Sequence, residues 1–219
     1  MKAHRMFCCI GIFLTALLTT YSLEGQPANP KPATNRLMPA PAMVTWGAGK
    51  LALGPDFRVA LNGFQEPRLT SAAGRLIKRL SQKTGMPLST ELQPDMSRAT
   101  LEIRCNAAGE KIQSVKADES YGLEVTPQKA LISAPSPAGV LRGMETFLQL
   151  VGSDSESFIV PAVKIEDKPR FPWRGLLIDA GRHWQPLEVI KRNLDGMAAV
   201  KLNVLHWHLS EDQGFRIES

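Results

Sequence analysis

The order of apolar and polar positions from residue 174 onward predicts a strand, a helix and a second strand in succession. The run RGLLID, 174–179, is apolar and ends in a carboxylate, and LNVLHWHL, 202–209, again has strand character. Between these two runs, Pro186 suits the first turn of a helix. Apolar residues then recur at helical spacing, at Leu187, Ile190, Leu194, Met197 and Ala198. Two strands joined by a helical crossover form a βαβ unit, whose strands must be parallel.

The preceding region, residues 42–167, predicts an α+β domain. A first helix is expected to end at Gly85, and its apolar face is formed by Leu69, Ala72, Ala73, Leu76 and Leu80. Ser136 is expected to cap a second helix that Pro137 opens, with an apolar face of Val140, Met144, Phe147 and Val151. Strands are predicted at 101–105, 123–125, 130–133 and 158–165. This domain has no carboxylate pair or metal-ligand spacing, so its expected role is to pack against the βαβ unit.

The first 41 residues predict export. A basic start and an apolar run from Met6 to about Leu18 are typical of a secretory signal peptide, assigned to residues 1–25. A membrane-spanning helix needs roughly 20 apolar residues, so no span is expected in the mature chain, and an uncleaved anchor is the alternative. Residues 26–41 are rich in proline and alanine and predict an extended linker. We therefore expect a periplasmic or extracellular protein.

The charge balance argues against a nucleic-acid partner. The net charge is +5, from 26 basic and 21 acidic residues, and both signs are interspersed along the chain. There is no block of lysine and arginine with interleaved aromatic residues, which is the pattern that nucleic-acid binding favours. The positive balance predicts an ordinary solvated surface.

Charged and aromatic residues follow both strands of the predicted βαβ unit. Ligands of parallel sheets bind beyond the carboxyl ends of the strands, where the connecting loops collect. The two groups should therefore share one rim, with Asp179, Arg182 and His183 after the first strand and His208, Glu211 and Asp212 at or after the second.

Long segments of the chain resemble glycoside hydrolase family 20, the β-N-acetylhexosaminidases. The resemblance rests on PRFPWRGLLIDAGRH (169–183) and KLNVLHWHLSEDQGFRIE (201–218), and before them on YGLEVTP (121–127), ALISAPSPAGVLRGMETFLQLV (130–151) and IVPAVKIEDKPRF (159–171). It implies the family's smaller α+β domain followed by the truncated start of a (β/α)8 TIM barrel, with residues 168–219 as its first βαβ unit. Such a barrel needs about 200–250 residues.

The resemblance implies removal of terminal, non-reducing N-acetylhexosamine from glycans or chitin oligosaccharides, with retention and without a cofactor. In this family the substrate's own 2-acetamido oxygen attacks the anomeric carbon. A glutamate protonates the leaving group and an adjacent aspartate orients the acetamido group, and this pair belongs to a later barrel strand. We expect that pair to lie beyond Ser219, and the 219-residue chain to be inactive alone.

The resemblance gives Arg182 and Glu211 the role of holding the sugar's outer hydroxyls. A guanidinium suits this role because its planar fork donates two parallel hydrogen bonds. The alternatives are a salt bridge between two loops for Arg182 and a solvated loop acid for Glu211. Asp179 is expected to orient Arg182 or His183, or else to cap its loop. Arg174, at the start of the first strand, is expected to be structural.

Two other functions remain open from the sequence. His206 and His208 point to one face of a strand, which invites a zinc-dependent, amidohydrolase-type interpretation. That pattern places its histidine pair on the first barrel strand, whereas this pair lies on the second, so we expect no metal. The second alternative is a secreted carbohydrate-binding protein without catalysis. An Asp–Glu pair encoded downstream of Ser219 would favour the enzyme over it.

Overall fold

A mixed β-sheet organises the α+β domain. The computed structural model describes residues 36–212 and 214–218, so the predicted signal peptide and the first part of the predicted linker lie outside the described residues. The strands of this sheet are β1 (Met43–Leu53), β2 (Val59–Gly63), β3 (Leu101–Cys105), β4 (Tyr121–Val125), β5 (Ala130–Ala134), β6 (Gly152–Ser153) and β7 (Phe158–Asp167). Their order is β1-β7-β4-β5-β3-β2, with the short β6 paired to β7. The pairs β2–β3 and β3–β5 are parallel and the others antiparallel.

Two helices, α1 (Pro67–Thr84) and α2 (Pro137–Leu150), pack against each other and against this sheet. Both predicted helix ends are confirmed. Gly85 adopts a left-handed φ of 72° and its N–H donates to the carbonyl of Ser81, which closes α1. The Ser136 hydroxyl accepts from the N–H of Gly139 at the start of α2. The apolar faces of both helices are buried with the sheet residues in one core.

Strands β1 and β2 were not predicted from the sequence. β1 is an edge strand whose pairing with β7 shifts register between Trp46 and Lys50, and its residues are mostly exposed. An irregular edge strand lacks the regular alternation that predicts strands. β2 is instead a short continuous run with three buried residues, which periodicity alone does not distinguish from a helix segment.

The last residues of the predicted linker pack onto the α+β domain. Leu37 is buried in its core. The Met38 N–H donates to the side-chain oxygen of Gln149, and the Gln149 amide donates back to the Met38 carbonyl, both at 2.8 Å. The Ala42 N–H donates to Asp167 at 3.0 Å. These contacts attach residues 37–42 to the domain.

The predicted βαβ unit is present at the end of the chain. Strand β8 (Gly175–Asp179), helix α3 (Leu187–Ala199) and strand β9 (Val204–His208) form it, and the two strands are parallel, in register from Gly175 opposite Val204 to Asp179 opposite His208. A short hairpin of β10 (Ser210–Glu211) and β11 (Gly214–Phe215) follows. In the described part of the chain, no helix has the length and apolar character needed to cross a bilayer.

Candidate functional site

The loops after β8 and β9 meet at the carboxyl ends of the two strands. The N–H groups of Ala180 and Gly181 both donate to the carbonyl of His208, at 2.9 and 3.1 Å. A Cβ added to Gly181 would lie 3.3 Å from the carbonyl carbon of Ser210 and 3.4 Å from the Cβ of Glu211. Glycine at this position therefore lets the two loops approach closely. We call the residues of these two loops the rim.

Arg182 lies between two carboxylates of the rim. Its guanidinium donates to Asp179 Oδ2 at 2.7 Å and to Glu211 Oε1 at 2.5 Å, so the two predicted groups are joined by direct ion pairs. The same oxygen of Glu211 lies 3.1 Å from His208 Nε2. The Arg182 side chain is 58% exposed. The structure thus brings together Asp179, Arg182, His208 and Glu211, in an arrangement that fits both a loop-tying salt bridge and a binding site for hydroxyls.

Asp179 both caps its loop and orients Arg182, so the two alternatives predicted for it coexist. Its Oδ1 accepts from the backbone N–H of Arg182 at 3.0 Å, and its Oδ2 accepts from the guanidinium. The backbone N–H lowers the pKa of Asp179 below its ordinary value, and the guanidinium acts in the same direction. Asp179 is therefore ionised at neutral pH and fixes the position of the positive charge.

The donors and acceptors of the rim match a polyol. A guanidinium has five N–H donors, and two of those on Arg182 serve Asp179 and Glu211. The contacts of Glu211 with Arg182 and His208 both fall on Oε1, so its Oε2 can accept from a ligand. A sugar hydroxyl both donates and accepts, so one hydroxyl can engage the arginine and the glutamate together.

The other predicted rim residues are less tightly placed. His183 and Asp212 are exposed in the loops after β8 and β9. The rings of His206 and His208 lie 6.1 Å apart between centroids. Within residues 36–212 and 214–218, no three His, Cys, Asp or Glu side chains are grouped so that they could hold a metal ion.

Arg216, which was not predicted from the sequence, supports the rim from the β10–β11 hairpin. Its guanidinium donates to the carbonyls of Ala180 and Gly181, at 3.3 and 3.2 Å. Its own backbone N–H donates to the carbonyl of Leu209 at 2.9 Å. The signal in the sequence is a basic residue a few positions beyond a strand end, which is too common to single out.

A second polar cluster, also not predicted, lies at the opposite ends of β8 and β9. The Arg174 guanidinium donates to Glu119 Oε2 at 2.5 Å and to the carbonyl of Lys201 at 2.8 Å, so the structural role predicted for Arg174 agrees with its contacts. Lys201 donates to the Tyr121 hydroxyl at 2.7 Å and to Asp167 at 3.1 Å. Burial lowers the pKa of Lys201 and raises that of Tyr121. This cluster ties the βαβ unit to the α+β domain.

Comparison with known proteins places both regions in one family. Residues 34–168 match glycosyl hydrolase family 20, domain 2, and residues 171–219 match the catalytic domain of the same family. The β-hexosaminidase subunit β of Mus musculus is 42% identical over 134 residues, which cover 61% of this chain and 25% of that protein.

Solved structures agree with this assignment. A Flavobacterium johnsoniae chitobiase matches with a TM-score of 0.78 and 43% identity, over 84% of this chain and 28% of that one. The GH20 exo-β-N-acetylglucosaminidase of Vibrio harveyi, solved with N-acetylglucosamine, matches with a TM-score of 0.68 and 27% identity. The match covers 83% of this chain and 26% of that one. The chain thus spans about a quarter of the length of these relatives. It belongs to glycosyl hydrolase family 20, of which it holds domain 2 and the first βαβ unit of the catalytic barrel.

Proposed function

We propose that the protein to which this chain belongs is an exo-acting β-N-acetylhexosaminidase. It removes terminal N-acetylhexosamine from the non-reducing ends of glycans or chitin oligosaccharides. Family membership and the names of the similar proteins support this proposal. The observation that carries it is the placement of Arg182 between Asp179 and Glu211, at the carboxyl ends of two parallel barrel strands.

In this proposal the rim binds the sugar rather than performing the bond cleavage. Arg182 donates to the outer hydroxyls, and Glu211 accepts from them while it holds the guanidinium. Asp179 keeps Arg182 in place by accepting one hydrogen bond from its backbone N–H and one from its guanidinium. Binding energy gained at such remote hydroxyls holds and distorts the sugar at its reacting centre, and therefore acts on the rate as well as on affinity.

The cleavage is expected to follow the substrate-assisted route of the family. The 2-acetamido oxygen attacks the anomeric carbon while the glycosidic C–O bond breaks, and a glutamic acid protonates the departing oxygen. Water then opens the cyclic intermediate and returns a proton to the glutamate, so the anomeric configuration is retained. We assign that glutamate and its neighbouring aspartate to a later barrel strand, and assign sugar positioning to the residues of this chain.

The test compares two arginine variants of the intact protein. A charge-assisted hydrogen bond contributes about 1.5–3 kcal/mol, so Arg182→Lys should lower kcat/KM by roughly 10²-fold or more, because an ammonium lacks the planar fork. Arg174→Lys should mainly lower the melting temperature and should lower kcat/KM less than Arg182→Lys does, because its contacts join two domains and do not reach the rim. Steady-state kinetics and thermal melting of both variants give the answer. Near-normal kcat/KM in Arg182→Lys, with a loss confined to Arg174→Lys, would reverse the two roles.

We also propose that residues 1–219 alone do not hydrolyse a chromogenic N-acetylglucosaminide, since the acid and the acetamido-orienting residue are assigned elsewhere. The polypeptide can be purified and assayed at high concentration beside the intact protein. Turnover near that of the intact protein would reassign catalysis to Glu211 and Asp212. Saturable sugar binding without turnover would instead support a carbohydrate-binding role for this part alone.

We further propose that the protein is exported, on the strength of the basic and apolar pattern in residues 1–25. N-terminal sequencing of the protein recovered outside the cytoplasmic fraction should show cleavage near residue 25. Recovery in the cytoplasm with Met1 intact would contradict the proposal.

A further inference from the structure

The carboxylate of Glu119 is the hub of a buried junction between the α+β domain and the two barrel strands. Its side chain is 3% exposed and lies just before β4. Oε2 accepts from Arg142 of α2 and from Arg174, each at 2.5 Å. Oε1 accepts from the side-chain amide of Asn203 at 3.1 Å. One carboxylate therefore contacts a helix of the first domain and the residues that immediately precede β8 and β9.

The two barrel partners of Glu119 also bond to each other, at the point where the strands begin to pair. The Arg174 N–H donates to Asn203 Oδ1, and the Asn203 N–H donates to the Arg174 carbonyl, both at 2.9 Å. The Val204 N–H donates to the same carbonyl at 3.2 Å. The Asn203 side chain thus bridges Glu119 and the backbone of Arg174, so the carboxylate is connected directly to the register of the strand pair.

The rim depends on this register at the other end of the same strands. Asp179 lies opposite His208, and each is followed by its rim loop. A strand rises about 3.3 Å per residue, so a slip of one residue would separate Arg182 from Glu211 by more than a hydrogen bond can span. The Glu119 junction fixes where β8 and β9 begin. It lies about 17 Å from the rim, which is the length of the five residues in each strand.

We propose that Glu119 is a positioning residue for sugar binding: by fixing the starts of β8 and β9 against the first domain, it sets the geometry of the Arg182–Glu211 pair. The inference rests on the sugar-binding role proposed for that pair. Glu119 touches no substrate and acts through Arg174 and Asn203. Domain 2 thereby takes part in substrate recognition although it contributes no residue to the rim.

Glu102 offers a matched control in the same domain. It is a nearly buried glutamate with two cationic partners and one asparagine, namely Arg104, Lys129 and Asn62. All four residues belong to the α+β domain, so this cluster lies outside the junction. Replacing either glutamate by glutamine removes a buried charge and should destabilise the protein, so a general stability effect will appear in both variants.

The test is a double-mutant cycle on kcat/KM in the intact protein, measured well below the melting temperature of every variant. Misplacing the rim by about an ångström should cost roughly 10- to 100-fold, so Glu119→Gln should lower kcat/KM by that factor. In an Arg182→Lys background, Glu119→Gln should lower kcat/KM by less than about threefold, because the Arg182–Glu211 geometry that it disturbs is already lost. Distant sites without a physical connection give independent effects. Glu102→Gln should lower kcat/KM by the same small factor in wild type and in the Arg182→Lys background.

The outcomes separate a positioning role from a stability role. If Glu119→Gln lowers kcat/KM by the same factor in the Arg182→Lys background as in wild type, the two residues act independently and Glu119 has a stability role only. The same conclusion follows if Glu102→Gln is coupled to Arg182→Lys as strongly as Glu119→Gln is. Near-normal kcat/KM in Arg182→Lys itself would refute the proposed function first, and this inference with it. If Glu119→Gln does not fold, Asn203→Ser supplies the same cycle, because it removes the bridge to Arg174 and leaves the Glu119–arginine pairs intact.

Discussion

The α+β domain and the βαβ unit differ in how they use apolar side chains. In the first, two helices cover the sheet and the large apolar residues are almost completely buried, as Phe147 shows at 0% exposure. In the second, only Ile190 and Met197 of α3 are buried, whereas Leu177 of β8 is 57% exposed. Within this chain, which holds only the first βαβ unit of the barrel, one region is stabilised by its own core and the other is held to it by polar contacts.

Those contacts are concentrated at one end of the βαβ unit. Glu119 binds the residues that precede both strands, Lys201 binds Tyr121 and Asp167, and Gln149 donates to the carbonyl at the end of α3 at 2.7 Å. The rim lies at the opposite end, where Arg182 is exposed. On the proposals made above, a few buried charges of the α+β domain orient the sugar-binding rim on the neighbouring unit.

Truncating a large apolar side chain should show the largest difference in stability between the two regions. Phe147→Ala should lower the free energy of unfolding by about 3–5 kcal/mol, because it removes a fully buried ring that stacks on Phe57 at 6.2 Å. In the polypeptide of residues 1–219, Leu177→Ala should change it by no more than about 0.5 kcal/mol, since that side chain is exposed there. Urea unfolding of both variants measures the contrast. Comparable losses would show that the βαβ unit has a core as complete as that of the domain.

A smaller effect concerns pH and the α+β domain alone. The hydrogen bond from Asn62, together with Arg104 and Lys129, lowers the pKa of Glu102 to about 2. Because its folded pKa lies below the ordinary value of 4.5, Glu102 stabilises the fold above pH 4.5 and loses that contribution as the pH falls towards 2. Since its cationic partners are partly solvated, the contribution is on the order of 1–3 kcal/mol.

The measurement is the stability of wild type and Glu102→Gln between pH 7 and pH 2. The gap between the two proteins should be widest at neutral pH and should narrow below pH 4.5. If the stability difference between the two proteins did not change with pH, the charge of Glu102 would contribute nothing to the stability of the fold. The apolar core of this domain would then be more important for its stability than these polar contacts.

A still smaller effect shows whether the two regions unfold together. Gly74 in α1 and Gly196 in α3 both have open space where a Cβ would stand. Replacing a helical glycine by alanine stabilises a helix by roughly 0.5–1 kcal/mol. If the polar junction couples the regions, both substitutions should raise the main melting transition of the polypeptide of residues 1–219 by a similar amount. A rise for Gly74→Ala only would show that the βαβ unit unfolds separately.

Local pattern predicted the parts of this structure that local chemistry determines. The caps at Ser136 and Gly85 follow from side-chain and backbone conformational preferences. The parallel order of β8 and β9 follows from a helical crossover, and it brings Arg182 and Glu211 to the same edge although 29 residues separate them. The rim could therefore be predicted from the sequence.

The junction could not be predicted in the same way. Glu119 is 55 residues from Arg174 and 84 from Asn203, and nothing in the sequence near any of them indicates a partner. Such pairs form only when two separately folded regions pack together. β1 was missed for a different reason, since an exposed edge strand with a shifted register has no regular alternation to read.

The sugar-binding role of Arg182 can be examined by removing the hydroxyl instead of the arginine. The kcat/KM of wild type and Arg182→Lys is measured on an N-acetylglucosaminide and on its 3-deoxy and 4-deoxy analogues, which lack ring hydroxyls remote from the anomeric carbon. If Arg182 holds those hydroxyls, the variant should lose roughly 10²-fold on the complete sugar and only a few-fold on the analogue that lacks the bound hydroxyl. An equal loss on all three substrates would show that Arg182 only ties the two loops together, and would contradict the proposed role.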